Sequence, residues 1–339
     1  MPSESEIISK IRRRARKTDN VVVGIGDDAA VVRASRGKDL IACCDLMVEG
    51  VHFRREWAPP KLIGRKALAV TLSDVAAMGA LARFAMISVA LPHDCSAEFV
   101  DELFEGIFEL ANSSGVVIIG GDTSSSPDSL FIDTTVIGEC ERGRAVTRSG
   151  AQIGDAIYVT GELGDSALGL KLLEQGMRLG DCEPNAGGET AEKMSREALM
   201  KHLEPVPRLE IGRALGERGL ASAMIDVSDG LSTDLSHILD ESGVGAVIHA
   251  DAIPVALCVE SLAARSPEID ALQLALHGGE EYELLFTCRP DCKVQLDELS
   301  RELSLSLSRI GEIVTGNGLQ VERNGGLEPI RPAGYEHAI

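Results

Sequence analysis

Seven aspartates of this chain stand at the ends of apolar strands or on an apolar helix. Asp27 and Asp28 interrupt two apolar runs in VVVGIGDDAAVV, Asp45 closes LIACCD, Asp122 ends VVIIGGD, and Asp226 and Asp229 bracket Ser228 in MIDVSDG. Asp74 lies inside the Ala-rich segment KALAVTLSDVAAMGA, on the side shared with Ala67, Val70, Thr71 and Met78. Taken singly, each strand-end aspartate reads as a helix cap or turn residue. A carboxylate buried on an apolar helix face costs several kcal/mol unless it is paired or bound to metal. As a set, the seven make the oxygen-rich, acidic environment that suits several hard cations, and the chemistry it serves is Mg²⁺ held against a nucleotide triphosphate. Glycines accompany the carboxylates in GIGDD, IIGGDT and HGGEEYE, where backbone can approach a ligand closely or take positive φ. The chain has no GxxxxGK[ST] loop and no HRD or DFG set. A phosphotransferase built this way neutralises phosphate mainly with metal.

The elements that carry these residues follow from periodicity. Apolar residues at Leu62, Ile63, Ala67, Leu68, Leu72, Val75 and Ala76 predict a helix over 61–80, and Phe99, Leu103, Ile107, Phe108 and Leu110 predict a second over 96–114. Strands are expected at 21–32 with a tight turn, at LIACCD, 83–91, VVIIGG and 131–139. A second half begins after AVTRSGAQIGD with AIYVTG, then GELGDSALGLKLLEQ as a Gly turn opening a helix, and a surface loop at 180–189 before a helix at 190–202. MIDVSD, GLSTDLSHILDESG, AVIHAD, a further helix, HGGEEYELLFTC and a last pair of strands complete an alternating pattern, α/β or α+β in both halves. Gly24-Ile-Gly26-Asp27-Asp28-Ala29 resembles a dinucleotide fingerprint, with Asp45 about twenty residues on. The stretch from Ala30 to Leu40 is too short and too polar for a crossover helix, and two aspartates would repel a pyrophosphate.

Length and charge limit the partners. The 339 residues predict two domains. With 33 Lys+Arg against 53 Asp+Glu the net charge is −20, which opposes binding to phosphate backbones, so nucleic acid is not an expected partner. No apolar run approaches the ~20 residues of a membrane helix. The first residues, MPSESEIISKIRRRARK, read as an amphipathic helix of a cytoplasmic protein with a solvated basic face. Eight cysteines without a CxxC are expected to be reduced thiols, and Cys288 with Cys292 makes no more than half a zinc site.

Nine ordered blocks then carry a resemblance across nearly the whole chain. GIGDDAAVV, DLMVEGVHF, GRKALAVTLSDVAAMGA, GGDTSSSP, TRSGAQIGDAIYVTGELGDSALGL, HLEPVPR, IDVSDGLSTDLSHI, HGGEEYELLFT and GYEH resemble the thiamine-monophosphate kinase family, within a superfamily that includes aminoimidazole ribonucleotide synthetase and selenophosphate synthetase. The resemblance implies a two-domain aminoimidazole ribonucleotide synthetase-like fold, with residues 1–145 forming an ATP- and metal-binding domain whose strands build a barrel across a homodimer. Residues 146–339 would form an α/β domain, with ATP bound between the two. It implies direct in-line transfer from ATP to thiamine monophosphate with several Mg²⁺ ions. By motif, Asp28, Cys43, Cys44, Asp45, Asp74, Asp122, Asp226 and Asp229 would be the metal positions. Gly121, Asp122, Arg148 and Ser228 would contact ATP, and His52, Glu280 and Tyr335 would contact thiamine monophosphate, Tyr335 by stacking on a ring.

The chain departs from the family pattern at Cys43 and Cys44, where Ser or Thr is usual. A neutral thiol is a poor Mg²⁺ ligand, so either a backbone carbonyl serves that cation or one metal position is altered. No general base is assigned, because a phosphate monoester acceptor already carries its nucleophilic oxygen ionised and the barrier is repulsion between anions. Two other readings fit the same residues: a sibling ATP-dependent synthetase of the superfamily, and a noncatalytic ATP-binding scaffold.

Overall fold

The computed structural model describes residues 4–16, 18–25, 29–182 and 190–335, and the chain divides into two compact units. The first comprises residues 1–75 and 80–143 and the second 76–79 and 144–339, so the last turn of one helix counts with the second unit.

In the first unit α1 (Glu4–Arg14) precedes β1 (Val21–Val23) and β2 (Val31–Val32), and then come β3 (Lys38–Val48), α2 (Pro60–Ala77), β4 (Leu81–Pro92), α3 (Ala97–Ser113), β5 (Val117–Ser126) and β6 (Phe131–Glu141). The sheet order is β3-β6-β4-β5, with β4 and β5 parallel and the other pairs antiparallel. One face carries Ala85, Ile87, Ile132, Thr134 and Val136, all buried. The other carries Phe84, Val117 and Ile119 against Val21 and Val32 of the small β1–β2 hairpin. That hairpin is antiparallel, Val21 opposite Val32, which is incompatible with the parallel crossover of a dinucleotide fold. The Ser96 hydroxyl caps α3 by accepting the Phe99 N–H at 3.1 Å.

The second unit contains β7 (Ala156–Thr160), α4 (Asp165–Glu174), α5 (Thr190–Leu203), α6 (Leu209–Arg218), β8 (Ala223–Asp226), α7 (Leu231–Ser242) and β9 (Gly245–His249). It continues with α8 (Leu257–Ala263), α9 (Ala271–His277), β10 (Leu284–Cys288), α10 (Lys293–Leu303), β11 (Leu307–Val314), β12 (Gly318–Arg323) and β13 (Gly326–Ile330). Its seven strands run in the order β13-β12-β9-β11-β7-β10-β8, with β12 parallel to β9 and the remaining pairs antiparallel. Strand alternation splits the core into two layers. Ile157, Val159 and Leu285 pack with Leu231, Leu235 and Ile238 of α7. Tyr158 and Phe286 point the other way, stack with ring centroids 5.6 Å apart, and meet Ile211 and Leu215 of α6 with Leu296 and Leu299 of α10.

Several local expectations are corrected. The strand expected in HGGEEYELLFTC starts only at Leu284, because Glu280 and Tyr282 take positive φ (60° and 52°), which no strand accommodates. VVIIGG does not end at its glycines but runs on to Ser126, so Asp122 is a mid-strand residue. Two amphipathic helices, α6 and α10, stand where none was read. The helix after AVIHAD is two short ones, and the terminal strands number three.

Candidate active site

In the first unit the Ala-rich helix lies against the sheet because small and hydroxylated side chains allow it. The Thr134 hydroxyl donates to the Ala67 carbonyl at 2.9 Å and also meets the Thr71 hydroxyl. Asp45 is paired with Thr134 in the β3–β6 register, and Asp74 follows Thr71 by three residues, on the same helix face. The two carboxyl groups therefore meet: the Asp45 side chain is hydrogen-bonded to both Thr71 and Asp74. Burial first, and the charge of Asp133 second, push the Asp45 carboxyl above the ordinary range, with the Thr71 and Asp74 hydrogen bonds and His52 opposing. Its Oδ2 is buried with no hydrogen-bond partner, a lone-pair acceptor aimed at an unfilled need.

His52 sits in the turn after β3. Its Nδ1 accepts the Val48 N–H at 3.0 Å, which leaves Nε2 as the hydrogen-bearing nitrogen. The turn is fastened by Glu49, whose Oε2 accepts the Leu130 N–H at 2.9 Å while Oε1 accepts from Arg55 Nε at 2.6 Å. Arg55 also reaches Asp94 at 3.0 Å, and the Asp94 and Glu49 carboxylates raise its pKa further.

Strand alternation separates the other residues of this group. Cys43 shares the helix-facing side with Asp45, and its thiol donates to the Thr71 carbonyl at 3.5 Å. Cys44 is exposed on the opposite face. Gly121 shares the Asp45 row through Thr134 and Ile87, while Asp122 lies in the adjacent row with Ser88, Asp133 and Leu46 and points the other way. Gly121 has φ of 146°, and a Cβ there would fall 1.7 Å from the Ile87 carbonyl oxygen, so backbone alone fits at this point. Asp28 lies outside the described residues.

In the second unit β8 delivers the buried Asp226 to the sheet end, and the chain turns through Ser228, Asp229 and Gly230 into α7. Asp234, in the first turn of α7, accepts the N–H groups of Asp229 and Gly230 at 3.1 and 3.0 Å and so fixes the turn. Burial, with Asp226 and Asp229 nearby, pushes its carboxyl up to about 8. Ligand atoms of Asp229, Asp234 and His237 lie within 4.8 Å of one another. Two segments far apart in sequence converge on this turn. The Glu280 N–H donates to the Ser228 carbonyl at 2.7 Å, and the Tyr335 N–H donates to the Asp229 carbonyl at 3.0 Å. Gly334 beside it admits no side chain, since a Cβ would sit 2.1 Å from the Asp229 carbonyl oxygen. Arg148 is exposed, in a segment beside β8 where the Thr147 carbonyl accepts the Met224 N–H at 3.0 Å.

Beneath Glu280 lies a polar network that sequence inspection passed over. Glu283 is fully buried and accepts from Lys201 at 2.7 Å, from Arg208 at 2.5 and 2.6 Å and from the Thr160 hydroxyl at 2.6 Å. Burial disfavours its charge, but Lys201 and Arg208 outweigh burial and hold the carboxyl below the usual range. Glu281 is the opposite case. It is buried, accepts the Gly164 N–H at 2.9 Å, and is pushed well above the ordinary range by burial and then by Asp165. The available signal was the segment HLEPVPR, whose final arginine is Arg208.

The family described as AIR synthase related protein matches this chain with its N-terminal domain over residues 26–140 and its C-terminal domain over 152–324. The thiamine-monophosphate kinase of Bacillus subtilis (strain 168) is 38% identical over 310 residues, 91% of each chain. The crystal structure of thiamine-monophosphate kinase from Stenotrophomonas maltophilia K279a superposes with a TM-score of 0.82 at 38% identity, covering 93% of this chain and 95% of that one. AaThiL complexed with AMPPCP and TMP gives a TM-score of 0.76 at 30% identity, covering 98% and 96%. Likeness of this extent, spanning both units, makes the chain a member of the AIR synthase related family and, within it, of the thiamine-monophosphate kinases.

Proposed function

We propose that this chain phosphorylates thiamine monophosphate with ATP, giving thiamine diphosphate and ADP. The observation in the molecule that carries the reading is the Asp45–Asp74 carboxyl pair with its unsatisfied Oδ2, a donor set of hard oxygens that fits Mg²⁺. Asp45 and Asp74, with Asp28 and Asp122, would hold cations on one unit and Asp226 and Asp229 on the other. Cations bound there supply the charge neutralisation that lets two phosphate anions approach. Cys43 turns its thiol hydrogen toward a helix carbonyl, which fits a backbone carbonyl rather than that thiol as the ligand.

The protein's own groups bind and orient. His52 offers Nε2–H to a substrate oxygen, Ser228 and Arg148 contact ATP, and Gly121 lets β5 backbone come close to it. Glu280 places a carboxylate against the cationic thiamine portion, and Tyr335 offers a ring face. No side chain needs to take a proton from the acceptor. ATP as co-substrate supports a cytoplasmic setting.

A discontinuous assay with ATP, Mg²⁺ and thiamine monophosphate, run in parallel with free thiamine, tests the reading. Thiamine diphosphate is expected from the monophosphate alone and only with divalent metal. Metal-dependent ATP binding without that product would move the assignment to a sibling substrate or a noncatalytic binder.

We further propose a homodimer built on β3. This strand is the edge of its sheet, eleven residues long, and shows Leu40 and Leu46 to solvent, an edge that soluble monomers blunt. Light scattering is expected to give twice the 36.0 kDa chain mass, and Leu40→Lys to shift the population toward monomer. A wild-type mass of one chain would exclude the dimer.

A further inference from the structure

We propose that His202 is a positioning residue that fixes the orientation in which the Glu280 carboxylate meets the thiamine portion of the substrate. The proposal rests on the reading of Glu280 as a substrate contact. His202 is buried at the C-terminal end of α5, and its Nδ1 lies 3.2 Å from Glu280 Oε2 and 3.3 Å from the Ser166 hydroxyl. A close approach of two helices creates this placement. Gly169 of α4 packs so tightly on α5 that a Cβ there would lie 2.1 Å from the Ala198 carbonyl oxygen and 3.0 Å from His202 Cβ. Ser166, itself buried one turn earlier on α4, brings its hydroxyl to the same Nδ1 and so helps hold the ring.

The backbone beneath Glu280 is also held. Glu280 and Tyr282 both take positive φ, a conformation that persists in non-glycine residues only when the surroundings impose it. Here the Glu280 and Tyr282 N–H groups donate to the Ser228 and Val227 carbonyls at 2.7 and 2.9 Å, and the alternate residues Glu281 and Glu283 are anchored in the interior. With its backbone fixed, the Glu280 side chain keeps only its own torsions, and the contact to His202 restricts them. About a quarter of the Glu280 side chain remains open to solvent (24%), so the carboxylate is steered from below and presented from above. His202 touches no substrate in this arrangement; it acts through Glu280.

The test uses the full-length protein and steady-state kinetics. An asparagine amide nitrogen superposes on Nδ1 and keeps the donor, whereas glutamine places its nitrogen one bond farther out. His202→Gln is therefore expected to raise KM for thiamine monophosphate about tenfold, the size of one hydrogen bond to a charged group. KM for ATP and the unfolding midpoint should stay put, and His202→Asn should recover most of the loss. In a Glu280→Gln background, His202→Gln should add nothing beyond about twofold, the margin for independent sites. If Glu280→Gln raises KM for thiamine monophosphate but His202→Gln does not, or if the two effects multiply, the role of His202 is overturned while the substrate-contact reading stands. If Glu280→Gln itself leaves that KM unchanged, the substrate-contact reading fails first. Equal losses in the Asn and Gln variants with a lowered unfolding midpoint would mark a purely structural histidine.

Discussion

Asp74→Asn is expected to lower kcat by about 10²-fold or more while the folded protein is as stable as wild type or more so. The two halves of this expectation have one cause. Asp74 and Asp45 are brought together by the Thr71–Thr134 packing of α2 on the sheet, and desolvation is the leading influence on Asp45. Two carboxyl groups in contact repel when ionised, so an isosteric amide removes a destabilising charge and keeps a hydrogen bond to Asp45. The same substitution deletes a hard anionic oxygen from the cation site, which weakens divalent binding and with it the neutralisation of phosphate charge. Activity and stability should move in opposite directions, the pattern of a functional site that is not optimised for folding. Calorimetric titration of Mg²⁺ in the presence of ATP gives a readout apart from turnover: heat of binding in wild type, reduced in the variant. Turnover within about threefold of wild type would remove Asp74 from the cation site, given the size of loss that a single electrostatic contact produces.

How far the molecule could be read from its residues depended on whether a feature was local. Asp74 was legible because a carboxylate on an Ala-rich helical face violates the local pattern, and Asp226 and Asp229 because an apolar strand ends on them. The helix and strand positions of the first unit came from the same periodicities that bury Leu68, Leu72 and Val75 in α2. Period-two alternation, carried one step further, would have shown that Cys43 and Cys44 face opposite sides of β3, but not that Asp45 and Asp122 lie in adjacent rows. That two-row relation requires the strand register, which no single strand contains. HGGEEYE misled because alternating charge and aromatic residues mimic a strand edge, whereas the chain here is a kinked loop with two left-handed residues. Glu281 and Glu283 look solvated in sequence. Their burial depends on Lys201, Arg208, Thr160 and the start of α4, partners supplied by elements up to about 120 residues away along the chain.

Glu283→Ala is expected to cost about 3–5 kcal/mol of folding stability, the largest loss anticipated for any single polar substitution in the second unit. Glu283 has 0% exposure and makes four charge- or hydroxyl-donated contacts, to Lys201, twice to Arg208, and to Thr160. Truncation leaves Lys201 and Arg208, with side-chain exposures of only 18% and 21%, without their hydrogen-bonded carboxylate; Asp165 acts on both, and Glu281 on Lys201, only at longer range. It also opens a space beside Gly161, where a Cβ would fall 2.6 Å from the carboxylate. Because breaking a buried pair is far worse than replacing it, a triple variant with Glu283→Leu, Lys201→Met and Arg208→Met should regain most of the loss. The network also sets the acid response. The folded-state pKa of Glu283 lies below its unfolded value, so its contribution is fully present above the unfolded value and disappears as pH falls through the folded one. Wild type should therefore lose stability on acidification more steeply than Glu283→Ala, whose unfolding midpoint lacks this component. Urea unfolding followed at neutral pH and through the carboxylate range measures both quantities. A neutral-pH midpoint unchanged in Glu283→Ala would show that water solvates Lys201 and Arg208, and that the carboxylate contributes no net stability.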